Sequence, residues 1–214
     1  MTPAGRACVW VARANGDLGR ALNLHNATFD GGTAGDDEGY TGNQPVQPGE
    51  RIPVWCGFSG ADDISDNWGW FYGGYGDDCV GENWLVFKGG PGMDCAGPNQ
   101  AYFAGGPGDD NSSPNSGGSR FDGGPGDDYV EVVNGGVFNG GPGDDYISGE
   151  FGTVNVGTFN GGLGRDRVAT NDGTFTGGPG NDAVGVNNGF VDGGPGWDVV
   201  KENHGTCVNV ERGC

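Results

Sequence analysis

Along most of the chain, single apolar residues alternate with small or polar ones. Phe71, Phe87, Phe103, Phe121, Phe138, Phe159, Phe175 and Val191 each stand two residues before a Gly-Gly pair. Val80, Ala96, Ser112, Val130, Ile147, Val168, Val184 and Val200 each stand two residues after an Asp. Their neighbours are mostly polar or small, as in a strand with one buried face. The pattern predicts short strands in pairs, one with an inward Phe and one with an inward aliphatic, joined by Gly-rich turns.

The pattern repeats. The first glycine of each pair falls at 73, 89, 105, 123, 140, 161, 177 and 193, in steps of 16, 16, 18, 17, 21, 16 and 16. A fixed period of this size belongs to a solenoid. The expected fold is all-β, a parallel β-roll or β-helix of about 9–11 coils of ~16–18 residues. Residues 1–28 read as an N-terminal cap with a degraded first coil, 29–206 as the solenoid, and 207–214 as a C-terminal cap. Within the solenoid, 38–55 carries Pro45, Pro48 and Pro53 and reads as an excursion loop. Phe58–Ile64 reads as a shortened turn that keeps its acids. Asn134-Gly135-Gly136, Asn171-Asp172-Gly173, Asn187-Asn188-Gly189 and Asn203-His204-Gly205 read as a second turn whose Asn and Gly supply positive φ. Asn111–Arg120, with Ser112 in the aliphatic place and Pro114 in a strand, reads as the loosest coil.

Composition sharpens this picture. Fifty glycines in 214 residues would suggest disorder without a period, and repeated tight turns with one. The formal net charge of −19 makes nucleic acid and anionic membranes poor partners. The acids recur in phase with the repeat. Stacked at the strand spacing of ~4.8 Å, neighbouring carboxylates would repel by roughly 3 kcal/mol at an effective dielectric of ~20. Such a ladder calls for a cation.

The repeated turn resembles the calcium-binding nonapeptide GGxGxDxUx of the RTX (repeat-in-toxin) family. Gly123-Gly124-Pro125-Gly126-Asp127-Asp128-Tyr129-Val130 matches it position by position. The resemblance implies calcium ligands at Asp36, Asp78, Asp94, Asp110, Asp128, Asp145, Asp166, Asp182 and Asp198. Carbonyls of Gly73, Gly89, Gly105, Gly123, Gly140, Gly161, Gly177 and Gly193 would complete the shells, since calcium takes six to eight oxygens. The family places calcium turns on both edges of a coil. This chain has one such turn per coil, so ions are expected along one edge only. Gly123 and Gly126 are expected to bend the chain, and Asp77, Asp109, Asp127 and Asp144 to face outward.

Six cysteines in such a chain suggest three disulfides and an oxidising, extracellular setting. Cys79 and Cys95 follow the Asp of adjacent turns and should lie one above the other. Cys207 with Cys214 would close the C-terminal cap, leaving Cys8 with Cys56. The first residues lack the succession of a secretory leader, so a processed chain or another export route is expected. No stretch is apolar enough for a membrane span.

Function is less legible. Trp55, Trp68, Trp70 and Trp84 form an aromatic-rich region that could stack on sugars or fill a wide end of the coil. Thr153, Thr158, Thr170, Thr174 and Thr176 raise ice binding by a flat face, without a regular rank. Catalysis has little support: His25 and His204 fall in opposite caps, and only Arg51, Asp62, Asp63 and Asp66 break the ladder. The expectation is a secreted, monomeric, calcium-binding module with a structural, adhesive or surface role toward a glycan, a cell surface or ice. It is not expected to be an enzyme.

Overall fold

The computed structural model describes residues 28–29, 35, 37–39, 52–148 and 153–214. It is an all-β solenoid of about nine turns. Among the described residues every strand pairing is parallel, and the strands form two long sheets. One, of 11 strands, carries the Phe column; the other, of 12 strands, carries the aliphatic column. Phe121 is in register with Phe103 and Phe138, and Val130 with Ser112 and Ile147.

The two inward columns meet as one thin core. Phe71, Phe87, Phe103, Phe121, Phe138, Phe159 and Phe175 are fully buried. From Phe71 to Phe159 their rings stack nearly parallel at centroid distances of 4.7–5.0 Å. A parallel in-register ladder brings each ring over the same ring of the next coil. The repeat thus converts a single Phe per coil into a continuous apolar rod.

The Phe column begins one coil before Phe71. Trp55 is in register with Phe71 and packs on it at 5.1 Å. It heads the Phe column instead of lining a platform. Gly57 through Ile64 is therefore a full-length turn, with Asp62 in the ladder position and Ile64 in the aliphatic one. Phe58 stands where later coils have the second glycine, at φ 80°. Strands Glu38–Gly39 and Pro53–Ser59 occupy both ends of the span read as an excursion loop; its interior, and the cap over residues 1–27, lie outside the described residues.

Three local expectations change. In the first turn the positive φ falls on Gly124 and Gly126, at 126° and 146°, and not on Gly123. In the second turn no described Asn or Gly of the four quoted tripeptides has positive φ; Asn134, Asn171 and Asn187 are buried instead. The 17-residue coil gains its extra residue at Val132, which takes φ 75° between two inward positions. In the loosest coil, Ser112 is buried in the aliphatic column, its strand still pairs on both sides, and the Ser113–Pro114 peptide is cis.

Cys79 and Cys95 are bonded across adjacent coils, with Cα atoms 4.6 Å apart. Cys207 and Cys214 are bonded at the C-terminal end. Cys56 is disulfide-bonded, and Cys8 lies outside the described residues.

Candidate metal ladder

The acids of the GGxGxD turns sort into two columns. The sixth position is buried: Asp78, Asp94, Asp110, Asp128, Asp145 and Asp166 are 0 % exposed, and Asp182 and Asp198 are 2 % exposed. The fifth position, at Asp77, Asp109, Asp127 and Asp144, faces solvent as expected. Arg165, Asn181 and Trp197 occupy the same outer column.

The inner column is a hydrogen-bonded ladder. The backbone N–H of each Asp donates to Oδ1 of the Asp one coil on, at 2.7–2.9 Å, from Asp62 through Asp182. Upstream, the N–H of Asp37 donates to Asp62 Oδ1 at 2.9 Å. Asp37, not Asp36, thus occupies the ladder position in that coil; Asp36 itself lies outside the described residues. Downstream, Asp198 N–H donates to Glu211 Oε2 at 2.7 Å, so a glutamate of the cap ends the series. The outer column runs the opposite way. The N–H of Asp127 donates to Asp109 Oδ1 and that of Asp144 to Asp127 Oδ1, both at 2.8 Å.

The second oxygen of each inner Asp is the distinctive feature. Oδ2 of Asp78, Asp94, Asp110, Asp128, Asp145, Asp166, Asp182 and Asp198 is buried and has no hydrogen-bond partner. Each lies against the first glycine of its own turn: a Cβ on Gly73, Gly89, Gly105, Gly123, Gly140, Gly161, Gly177 or Gly193 would overlap that carboxyl group. At Gly177 the same Cβ would meet both Asp182 Oδ2 and the carbonyl of Gly193. Of the expected glycine carbonyls, that of Gly193 is thus close to the Asp182 carboxylate. These carbonyls also accept ladder bonds, as from Gly124 N–H to the Gly140 carbonyl at 2.9 Å. A carbonyl has a second lone pair for an ion.

Burial raises the pKa of these carboxyls, chiefly by desolvation of the charged form and only partly offset by the backbone N–H bond. Asp78, Asp145, Asp166 and Asp182 rise to about 7, Asp94 and Asp128 to about 8, and Asp110 to about 9. Asp198 is raised for the same reason, with Glu211 adding like charge. A buried carboxylate with an unpaired oxygen is expensive, so each Oδ2 needs a proton or a cation. Among the described residues no three His, Cys, Asp or Glu side chains converge on one point. Any ion shell here would therefore be built from one or two carboxylates and several carbonyls, a set suited to calcium and unlike that of zinc.

A second ladder fills the opposite edge; four of its members, Asn134, Asn171, Asn187 and Asn203, read in the sequence as turn residues. Asn67, Asn83, Asn99, Asn115, Asn134, Asn155, Asn171, Asn187 and Asn203 each stand four to six residues before an inward residue of the Phe column. All but Asn203 are fully buried. From Asn67 through Asn187, each Nδ2 donates to Oδ1 of the Asn in the next coil at 2.7–2.9 Å. These eight also donate to a backbone carbonyl, as Asn134 does to Thr158 at 2.9 Å, whereas Asn203 at the end of the ladder donates to Cys207 Sγ. The signal was available: Ile64, Val80, Ala96, Ser112, Val168, Val184 and Val200 are each followed three residues later by Asn.

The chain matches no protein-family model, no curated protein and no solved structure. The site must be argued from its own geometry.

The remaining candidates are scattered. Trp68 and Trp84 stack on each other at 4.4 Å and 6°, each occupying one face of the other. Trp70 lies with Tyr72 on the outer face of the Phe sheet, and Trp55 is buried. The four tryptophans therefore form no common platform. Thr158, Thr174 and Thr176 lie on the Phe sheet, whereas Thr170 lies on the other. Thr153 is buried. His204 is exposed at the C-terminal end, and Arg51 and His25 lie outside the described residues.

Proposed function

We propose that the protein is a calcium-binding structural solenoid that works outside the cell as a surface-binding module, with folding coupled to the ion. One observation carries this reading: eight consecutive coils bury a carboxylate oxygen with no partner beside a glycine carbonyl-bearing turn. The RTX-like GGxGxD motif agrees with it. Asp78, Asp94, Asp110, Asp128, Asp145, Asp166, Asp182 and Asp198 would hold the ions, with carbonyls of the first glycines. Bound calcium would supply the positive charge that a column of buried carboxylates lacks.

The two coil-bridging and cap disulfides are compatible with an oxidising compartment. We read the chain as a binding and structural protein, not an enzyme, since its regular acids all have places in the ladders. Circular dichroism with calcium titrated into EDTA-treated protein tests the proposal. A cooperative gain of β signal or a large rise in Tm supports it. An identical spectrum and Tm with and without calcium at pH 8 would remove it.

A further inference from the structure

The outer face of the aliphatic sheet carries a groove of about 420 Å³ lined by Tyr146, Ser148, Arg167, Ala169, Ala183, Gly185 and Lys201, together with the core residues beneath. Its position in an acidic chain is unusual. The formal net charge is −19, with 10 basic residues, yet no acid is among the described residues lining this groove. Arg167 and Lys201 are exposed, and neither forms an ion pair among the described residues. Arg165 adds a third exposed cation on the turn of the same coil as Arg167.

The layout suits a linear chain. Arg167 is in register with Tyr146 on one side and Ala183 on the other. Lys201 follows Val200, two coils beyond Val168, which is roughly 10 Å along the axis. Between them the floor is Ala169, Ala183 and Gly185, small residues that leave room above the sheet. Tyr146 stacks on Tyr129 at 5.1 Å, which fixes its ring at one end of the groove. Ser148 adds a hydroxyl.

From this charge complementarity we propose that the groove binds an acidic polysaccharide strand, with Arg167 and Lys201 each meeting a carboxylate and Tyr146 packing on a sugar ring. A densely charged polymer such as nucleic acid would be repelled by the rest of the surface. A polyuronate offers a carboxylate to each cation, hydroxyls to Ser148 and a sugar ring to the Tyr146 face. The site lies on the sheet face, away from the Asp ladder, and does not depend on the calcium reading.

Isothermal titration of the full chain in calcium buffer, with short oligogalacturonate as probe and a cello-oligosaccharide of equal length as control, tests it. Saturable binding of the uronate alone is expected, weakening with added salt. Arg167→Glu/Lys201→Glu should weaken it about tenfold or more, and so should Ala169→Tyr, which fills the floor without changing charge. Lys88→Glu, on the other sheet, should leave it unchanged. Circular dichroism confirms that each variant is folded. No binding by the wild type, equal binding of the neutral oligomer, or equal losses in Lys88→Glu and the double variant would each overturn the proposal.

Discussion

Asp128 Oδ2 occupies the space that a Cβ on Gly123 would need. This explains why the first glycine of the turn is required, although its backbone does not take positive φ. The residue is glycine for close approach, and Gly124 is glycine for conformation. Gly123→Ala should therefore expel the carboxyl group and break its bond to Asp110 N–H. The loss should be about 2–4 kcal/mol in denaturant unfolding with calcium present. The double variant Gly123→Ala/Asp128→Ala should lose less than the sum of its parts, because the overlap is gone. Additive losses would contradict the contact.

The raised pKa values give the metal-free protein a definite pH response. Each folded-state value lies above the unfolded 3.8, so the native state holds more protons than the unfolded chain between about pH 4 and pH 7–9. Stability without calcium should then be greatest in mild acid and fall as pH rises through this window. Tm in EDTA should drop from pH 5 to pH 9. Saturating calcium, which competes with protons for the same oxygens, should remove or invert the slope. A Tm in EDTA that rises with pH would show that the carboxyls are not held in this environment.

The Asn ladder should be as important as the Asp ladder. Asn134 accepts from Asn115 Nδ2 at 2.7 Å and donates to Asn155 Oδ1 at 2.7 Å and the Thr158 carbonyl at 2.9 Å. Asn134→Ala removes three buried hydrogen bonds at once, which costs about 3–5 kcal/mol. Asn203→Ala, at the exposed end, should cost under ~1 kcal/mol. Thermal unfolding of the two variants side by side checks the contrast.

What the sequence revealed follows from what periodicity can report. The places of Phe121, Asp128 and Val130 recur coil after coil, so their inward facing and the Cys79–Cys95 pairing could be read from register alone. Trp55 and Asp62 were harder to see because Phe58 replaces the second glycine there, which hid a complete turn behind an altered motif. The Asn column escaped because Asn before Gly resembles a turn signal, and only the ladder bonds distinguish an inward Asn from a turn residue. Arg167 and Lys201 do not recur at all. Their proximity depends on coil stacking, which a one-coil motif does not describe.

Glu211 seals the ladder. It accepts the N–H of Asp198, the place that a further Asp would take in another coil. The chain then passes Val200, whose N–H donates to the Arg212 carbonyl at 2.9 Å, and the Cys207–Cys214 disulfide holds this segment against the last coil. Glu211→Ala should leave the global unfolding free energy within about 1 kcal/mol of wild type, because terminal coils contribute locally. It should nonetheless raise amide hydrogen exchange at Asp198 and Val200 by about tenfold, while Asp128 and Val130 stay protected. Removing the disulfide in the same variant should extend the fraying to Val184. If exchange at Asp198 is unchanged in Glu211→Ala, the glutamate is not the ladder's final acceptor.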